Sequence, residues 1–302
     1  MKFFNLLPIY IGLCVLSACG SSSGDEPTPV PTPSVAKKEV KLNVGINTRA
    51  TDSAFENGDK VGLFMVNYTN NAAGTLQNSG NYAHNVSYTY SSTGAWNTES
   101  PIYWKDDNTN ADFYVYYPYG TPSSVESHAF NIATDQSTEA NYKASIFLHG
   151  TNKNVAPTSN AVSLNLSHTM SCAIVKVEPG DGFTTEKLNA ANISVTLNNT
   201  KTQSTVNLKT GVATATGNAQ KINMFKSSAT EFKAIVVPQE VSQTSLFTVT
   251  VDGKEYNLSK GFSFVGGTRY TFTIKVSKTS SGINIGITGW TDDGKDYGGT
   301  AS

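Results

Sequence analysis

The chain has 302 residues, a formal net charge of -1, 38% hydrophobic residues and 15% charged ones. So neutral a chain has no basic excess with which to bind nucleic acid or be drawn electrostatically to a membrane. Three cysteines, at positions 14, 19 and 172, exclude a disulfide scaffold and any cysteine-based zinc site, since these need several ligands at set spacings.

Lys2 supplies a short positive start, and Phe3 to Leu16 is mostly apolar, interrupted by Asn5 and Pro8. A charged start, a short apolar run and small residues at the cut mark a secretory signal. The run falls short of the roughly 20 apolar residues that a spanning helix needs. Leu16-Ser17-Ala18-Cys19 fits the lipoprotein form of the cleavage site at every position. Residues 1–18 are therefore expected to be a lipoprotein signal peptide, cut before Cys19, whose thiol carries diacylglycerol. Two or three acyl chains anchor a protein stably where one binds only marginally. Residues 19–36 read as a tether. Ser21-Ser22-Ser23 and the alternating Pro27, Pro29, Pro31 and Pro33 favour a semi-extended spacer over a packed core.

Period-2 alternation then recurs along the chain, and no helical period stands out. Val40, Leu42, Val44 and Ile46 alternate with Lys41, Asn43, Gly45 and Asn47. Lys60 to Val66 and Ala234 to Val237 read as more fully buried strands, and Asp112 to Tyr119 as a dense aromatic strand ending at Pro118. Val206 and Leu208 lead into a Lys209-Thr210-Gly211 turn. Phe247, Val249 and Val251 run into Asp252-Gly253, a hairpin signal, before Tyr256 and Leu258. Tyr270, Phe272, Ile274 and Val276, and then Ile283, Ile285 and Ile287, close the series. Short strands rich in Thr, Val and aromatics, separated by Asn, Gly and Ser turns, predict an all-β sandwich fold. The roughly 265 residues after the tether suffice for two domains of ordinary size. Pro179-Gly180-Asp181-Gly182 is the strongest break near the middle, which places the domains at 37–181 and 182–302.

Chemistry-bearing constellations are missing from the sequence. His84, His128, His149 and His168 are far apart and in no metal-binding spacing. There is no nucleophile elbow and no phosphate-cradling loop. His168 is expected to be a buried, hydrogen-bonded structural residue, and Cys172, inside Met170 to Ile174, core filler. Asp292, Asp293 and Asp296 miss the spacing of a calcium loop. The expectation is therefore no catalytic residue, no metal, no cofactor and no enzyme. Exposed Trp96, Tyr103, Trp104 or Trp290 would instead supply stacking platforms for a surface glycan-binding lipoprotein.

Eight short motifs occur in order: Phe55 to Phe64, Pro101 to Trp104, Tyr114 to Tyr119, Thr134 to Ser137, Leu164 to His168, Ile235 to Gln239, Phe264 to Tyr270 and Ile287 to Trp290. Together, behind the leader, they resemble the fimbrillin family, the type V pilus subunits of Bacteroidia-type bacteria. The resemblance implies two tandem transthyretin-like Greek-key β-sandwich domains. It also implies a lipid-anchored, surface-exposed precursor at the cell outer membrane, later built into a fimbrium with other fimbrial subunits as partners and host or bacterial surfaces as ligands. In that family an arginine-directed protease cuts after an early arginine, here Arg49-Ala50, and the first strand leaves. A C-terminal strand of the next subunit then fills the gap. Val40, Leu42, Val44 and Ile46 would be the removable strand. Ile283, Ile285 and Ile287 repeat its pattern and are the candidate donor, or else simply the last strand of their own domain. Asp52-Ser53-Ala54 resembles the short O-glycosylation acceptor of these bacteria. The tail after Trp290 is polar, glycine-rich and a poor donor, so stalk, tip and anchor roles all stay open.

Overall fold

The computed structural model describes residues 37–47 and 54–277, together with the backbone of three short strands at 283–285, 287–289 and 299–301. Residues 37–302 form one compact unit. The first half contributes β1 (Leu42–Ile46), β2 (Lys60–Asn67), β3 (Ala83–Tyr90), β4 (Trp96–Asn97), β5 (Ala111–Tyr117), β6 (His128–Asn131), helix α1 (Glu139–Ala144), β7 (Leu148–Val155) and β8 (Val162–His168). Seven of these strands make one sheet in the order β1-β8-β7-β5-β2-β3-β4.

The second half holds β9 (Ser171–Pro179), helix α2 (Thr185–Ala190), β10 (Ile193–Asn207), β11 (Val212–Asn223), β12 (Phe225–Lys226), β13 (Glu231–Val236), β14 (Gln239–Val251), β15 (Lys254–Phe264) and β16 (Arg269–Val276). The chain ends in β17 (Ile283–Ile285), β18 (Ile287–Gly289) and β19 (Gly299–Ala301). One sheet runs β11-β10-β14-β15 and the other β12-β13-β9-β16-β18. They meet face to face through rings, with Phe272 of β16 at 4.8 Å from Phe247 and 4.9 Å from Phe262. The architecture is all-β, as the alternation predicts.

The sequence motifs acquire physical reasons here. Gly62 in β2 passes under Tyr116, and a Cβ at that position would lie 2.3 Å from the ring. The single hydroxyl hydrogen of Tyr116 is shared between Asn85 Oδ1 at 2.8 Å and the Gly120 carbonyl at 2.9 Å. Gln239 accepts from Lys201 N–H at 2.8 Å and donates to Lys201 C=O at 2.9 Å, so its amide behaves as an extra peptide unit on β10. A one-residue slip would turn each apolar face outward, which is why such pins matter in a sheet protein.

Two features differ from the sequence reading, the helices and the buried histidine. Two six-residue helices are present, each capped by a threonine (Thr138 or Thr184) whose side chain accepts from the third residue on. They are too short to show a 3.6-residue period, and only the Thr cap with a nearby Glu announces them. As read from the sequence, Val175 to Gly182 is strand, the end of β9, running into a turn, and both strand partners of β9, β13 and β16, lie in the second half. His168 is half-buried, and the buried histidine is His149, at 9% exposure.

Candidate first-strand groove

The first strand shows why alternation matters. Val40, Leu42 and Val44 are buried, at 1%, 6% and 5% exposure, while Lys41 and Asn43 between them are exposed. Ile46 is half-buried. β1 runs parallel to β8, with Leu42 opposite Val162, Val44 opposite Leu164 and Ile46 opposite Leu166. Val162 N–H donates to Lys41 C=O at 2.8 Å, and Asn47 N–H to Leu166 C=O at 2.7 Å.

The sequence pattern reads as an edge strand, and β1 does stand at the end of the sheet order. Its other side is nevertheless occupied. Val40 N–H donates to Ile102 C=O at 2.9 Å and Trp104 N–H to Lys38 C=O at 2.8 Å, around an antiparallel bridge between Glu39 and Tyr103. Further along, two aromatic side chains reach the strand's carbonyls. Tyr88 donates its hydroxyl to Val40 C=O at 3.1 Å, and Trp96 its indole N–H to Val44 C=O at 3.2 Å. Burial, reinforced by the charge of Glu39, pushes the Tyr88 phenol well above its ordinary pKa, so it stays a donor at any physiological pH. The first strand is thus a seam between β8 on one side and the segment 102–104 with Tyr88 and Trp96 on the other.

A cleft of about 290 Å3 opens where the seam ends, lined by Ile46, Phe55, Glu56, Tyr117, Lys143 and Leu148 among others. Phe55 is fixed independently of the strand, its ring lying 4.8 Å from Trp96, 5.7 Å from Tyr117 and 5.8 Å from Tyr90. Glu56 pairs with Lys143 at 2.6 Å, and Lys143 also pairs with Glu139 at 2.9 Å. These two carboxylates raise the Lys143 pKa. Tyr117 donates to Asp59 at 3.2 Å, and burial pushes its pKa up to about 12.

Of the other sequence candidates, Cys19, Arg49, Ala50, Trp290 and Asp292, Asp293 and Asp296 lie outside the described residues. Ile287 opens β18, which pairs antiparallel with β16 over Phe272–Ile287 to Tyr270–Gly289. Ile283 and Ile285 belong to β17, whose partner is the tail strand β19. The tail after Trp290, read from sequence as free of strand pattern, therefore supplies a short strand. Trp96 and Trp104 are buried, at 8% and 1% exposure, and work in the core rather than as stacking platforms; Tyr103 is exposed. Cys172 is buried in β9. Among the described residues no group of three or more His, Cys, Asp or Glu gathers as a metal site would, and no helix is long and apolar enough to cross a membrane. Sequence reading did not single out Tyr88 and Trp96 as groove donors, because nothing local to either residue signals a partner some fifty positions away (|i−j| 48 and 52).

Comparison with known proteins gives the family. The family model described as Fimbrillin-like matches residues 48–290, a span that opens one residue after Asn47, the last described residue of the seam. A candidate fimbrium subunit of Bacteroides uniformis is 25% identical over 296 residues, covering 92% of this chain and 94% of that protein. Among solved structures, a candidate cell adhesion protein of Bacteroides uniformis superposes with a TM-score of 0.66 at 22% identity, covering 86% of this chain and 99% of that one. One from Bacteroides ovatus gives 0.65 at 19% identity, covering 84% and 96%.

Proposed function

The chain belongs to the fimbrillin-like family, and on that premise we propose that it is a non-enzymatic subunit of a cell-surface fimbria that accepts a neighbour's strand in place of its own first strand. One observation carries the reading: β1 closes a seam whose two walls are both ready to bond a replacement. Removing it leaves the Ile102 carbonyl, the Val162 and Trp104 N–H groups and the Tyr88 and Trp96 donors without their partners. It also uncovers the apolar floor beneath Val40, Leu42 and Val44. Unpaired backbone beside apolar surface is costly in water. An incoming extended strand restores main-chain hydrogen bonds and fills alternate pockets.

Arg49 is the proposed trigger. The chain has two arginines, Arg49 and Arg269, and Arg269 lies in β16 between β9 and β18. A cut by an arginine-directed protease after Arg49 therefore releases the seam and spares the body. Phe55, held by three rings, pins the new chain end. In this reading lipidation at Cys19 and the tether at 19–36 hold the precursor at the outer membrane until the cut, and the two groups of sheets form the two tandem domains.

The test is limited digestion of residues 20–302 with an arginine-specific protease, followed by N-terminal mass spectrometry and an unboiled gel. A single cut at Arg49-Ala50 followed by a ladder of heat-sensitive oligomers is the expected result for a stalk subunit. A cut without a ladder assigns a tip role that draws its donor from another subunit. A chain that resists cutting at Arg49, or a cut monomer whose melting temperature equals that of the uncut protein and does not rise when a peptide of residues 37–47 is added, refutes strand acceptance.

A further inference from the structure

The motif Thr134 to Ser137 has no part in the groove just described, yet its Gln136 is completely buried. The side-chain amide accepts from Ile235 N–H at 2.8 Å and donates to Ile235 C=O at 2.9 Å, with a further bond to Ala133 C=O at 3.1 Å. Ile235 lies on β13, opposite Cys172 of β9. β12 covers β13 only at Phe232 and Lys233, so the glutamine stands in as a peptide unit where that neighbouring strand stops. Such pairing satisfies two buried backbone groups at once.

Gln136 sits in the middle of a strap that joins the two halves. At its start β6 pairs with β10 from His128–Val206 to Asn131–Gln203, and Ile132 N–H donates to Thr202 C=O at 2.9 Å. Then Asn223 N–H donates to Thr134 C=O, and Gln136 N–H to Asn223 C=O, both at 2.9 Å. The strap continues into α1. There Tyr142 stacks on Phe225 at 5.6 Å and places its hydroxyl 3.7 Å from the Cys172 sulfur. The next residues, Lys143 and Ala144, line the cleft at the end of the seam beside Ile46. Ala133 N–H donates to Ser145 Oγ at 3.0 Å, tying the two ends of this stretch together.

We propose that Gln136 is a positioning residue for the groove: its amide fastens the 128–146 strap to β13, and the fastened strap holds α1 as a fixed wall at the groove's lower end. With the amide gone, Ile235 keeps two buried polar groups without partners, and the strap opens more often than the sheets do. The wall then loosens, and the seam strand leaves more readily. This second consequence rests on the strand-accepting function proposed above; the first does not.

Cys172 reports the opening. A chain of residues 20–302 lacks Cys14 and Cys19 and retains one thiol, buried beneath Tyr142. Reaction of that thiol with a water-soluble disulfide reagent is measured under native conditions in the wild type, in Gln136→Leu and in Val249→Ala. The last removes buried volume from β14 at a residue whose strand partners are Val195 and Tyr256, outside the strap. Gln136→Leu is expected to react more than tenfold faster than the wild type, equivalent to about 1.4 kcal/mol at 25 °C. Val249→Ala should react faster only as far as its global stability falls. Gln136→Asn, which keeps the amide but shortens its reach by one carbon, serves if the leucine variant does not fold. Equal labelling in the wild type and the Gln136 variant, or an increase matched by Val249→Ala at equal stability, overturns the proposal. The groove is read separately, by adding a labelled peptide of residues 37–47 to Arg49-cleaved protein. Faster exchange in the Gln136 variant supports the wall role. Faster thiol labelling with unchanged peptide exchange removes it and leaves only a fastener. If the cleaved wild type takes up no peptide at all, the strand-accepting function fails while the labelling result still stands for the strap.

Discussion

Leu42→Ala tests the seam most directly. Leu42 is 6% exposed and faces Val162 across the parallel pairing, whereas Asn43, the next residue, is exposed. Burying a side chain of this kind contributes about 1.5–3 kcal/mol. Truncating it also leaves a cavity that the pinned walls cannot collapse into, so the cost should be about 2–5 kcal/mol. For a chain of this size each kcal/mol lowers the melting temperature by about 2–4 °C, giving a drop of about 4–20 °C. Asn43→Ala, on the water-facing side of the same strand, should stay within about 0.5 kcal/mol of the wild type. Thermal unfolding of the uncleaved protein, followed by circular dichroism with scan-rate controls, reads both. If the two variants melt together, the strand is not held by its alternating face and the seam argument fails.

Four further outcomes are expected. Gly62→Ala drives a Cβ to 2.3 Å from the Tyr116 ring and 2.7 Å from Asn85 Oδ1, so it should destabilise by about 1–3 kcal/mol through overpacking; chemical denaturation at unchanged m-value checks it. Lys153→Met removes the cation 3.3 Å from the buried Asp112; with Lys153 half exposed the loss should be about 1–2 kcal/mol, and Asp112→Asn in the same background should recover part of it. His149 is buried with Nε2 at 2.8 Å from the Leu208 carbonyl, and burial lowers its pKa. The unfolded chain therefore takes up a proton that the folded chain refuses, and stability present above the ordinary histidine pKa of about 6.5 is lost as pH falls below it. His128 is lowered by burial in the same sense, so urea midpoints from pH 7 to pH 5 should fall less steeply, though still fall, in His149→Gln; an unchanged slope counts against this assignment. Finally, truncation after Ser277 removes β17 to β19 and should yield a subunit that accepts a strand but caps an oligomer ladder when mixed with full-length protein. A truncated chain that still forms ladders alone would place the donor elsewhere.

Much of the fold was legible in the alternating residues. Val40, Leu42 and Val44 lie on one buried face, Lys60 to Val66 lies within β2 with its apolar residues buried, and Asp252-Gly253 makes the β14–β15 turn, with φ values of 47° and 82°. Period 2 tells which side of a strand meets the core. It is silent about which strand lies alongside. The parallel pairing of β1 with β8, separated by more than a hundred residues, could not be read from either segment. Neither could the roles of Gln136 and Gln239, because a side-chain amide acting as a peptide unit has no local pattern. The motif resemblance carried both glutamines without a reason, and the sheets supply it. Trp96, open to a surface role in the sequence, is buried with its indole N–H on Val44 C=O, while Trp104, in a motif that looks structural, packs on Phe113 at 5.6 Å.

The same closure frames the energetics of exchange. The three buried side chains of the seam contribute about 5–9 kcal/mol in sum, comparable to the whole stability of many domains, about 5–15 kcal/mol. A subunit that simply lost this strand would therefore be close to unfolding, so the proposed function requires release to be coupled to replacement. On the proposed donor side the stakes are lower: β18 pairs with β16 through three residues at the edge of its sheet, and among the described residues β17 pairs with the tail strand β19. An incoming strand in the groove would gain five pairs with β8 and the contacts to the segment 102–104. Moving a strand from a short edge pairing into a two-walled seam lengthens its hydrogen-bonded register and buries it on both sides. If strands are exchanged as proposed above, this difference in pairing alone would favour transfer from the end of one subunit into the groove of the next.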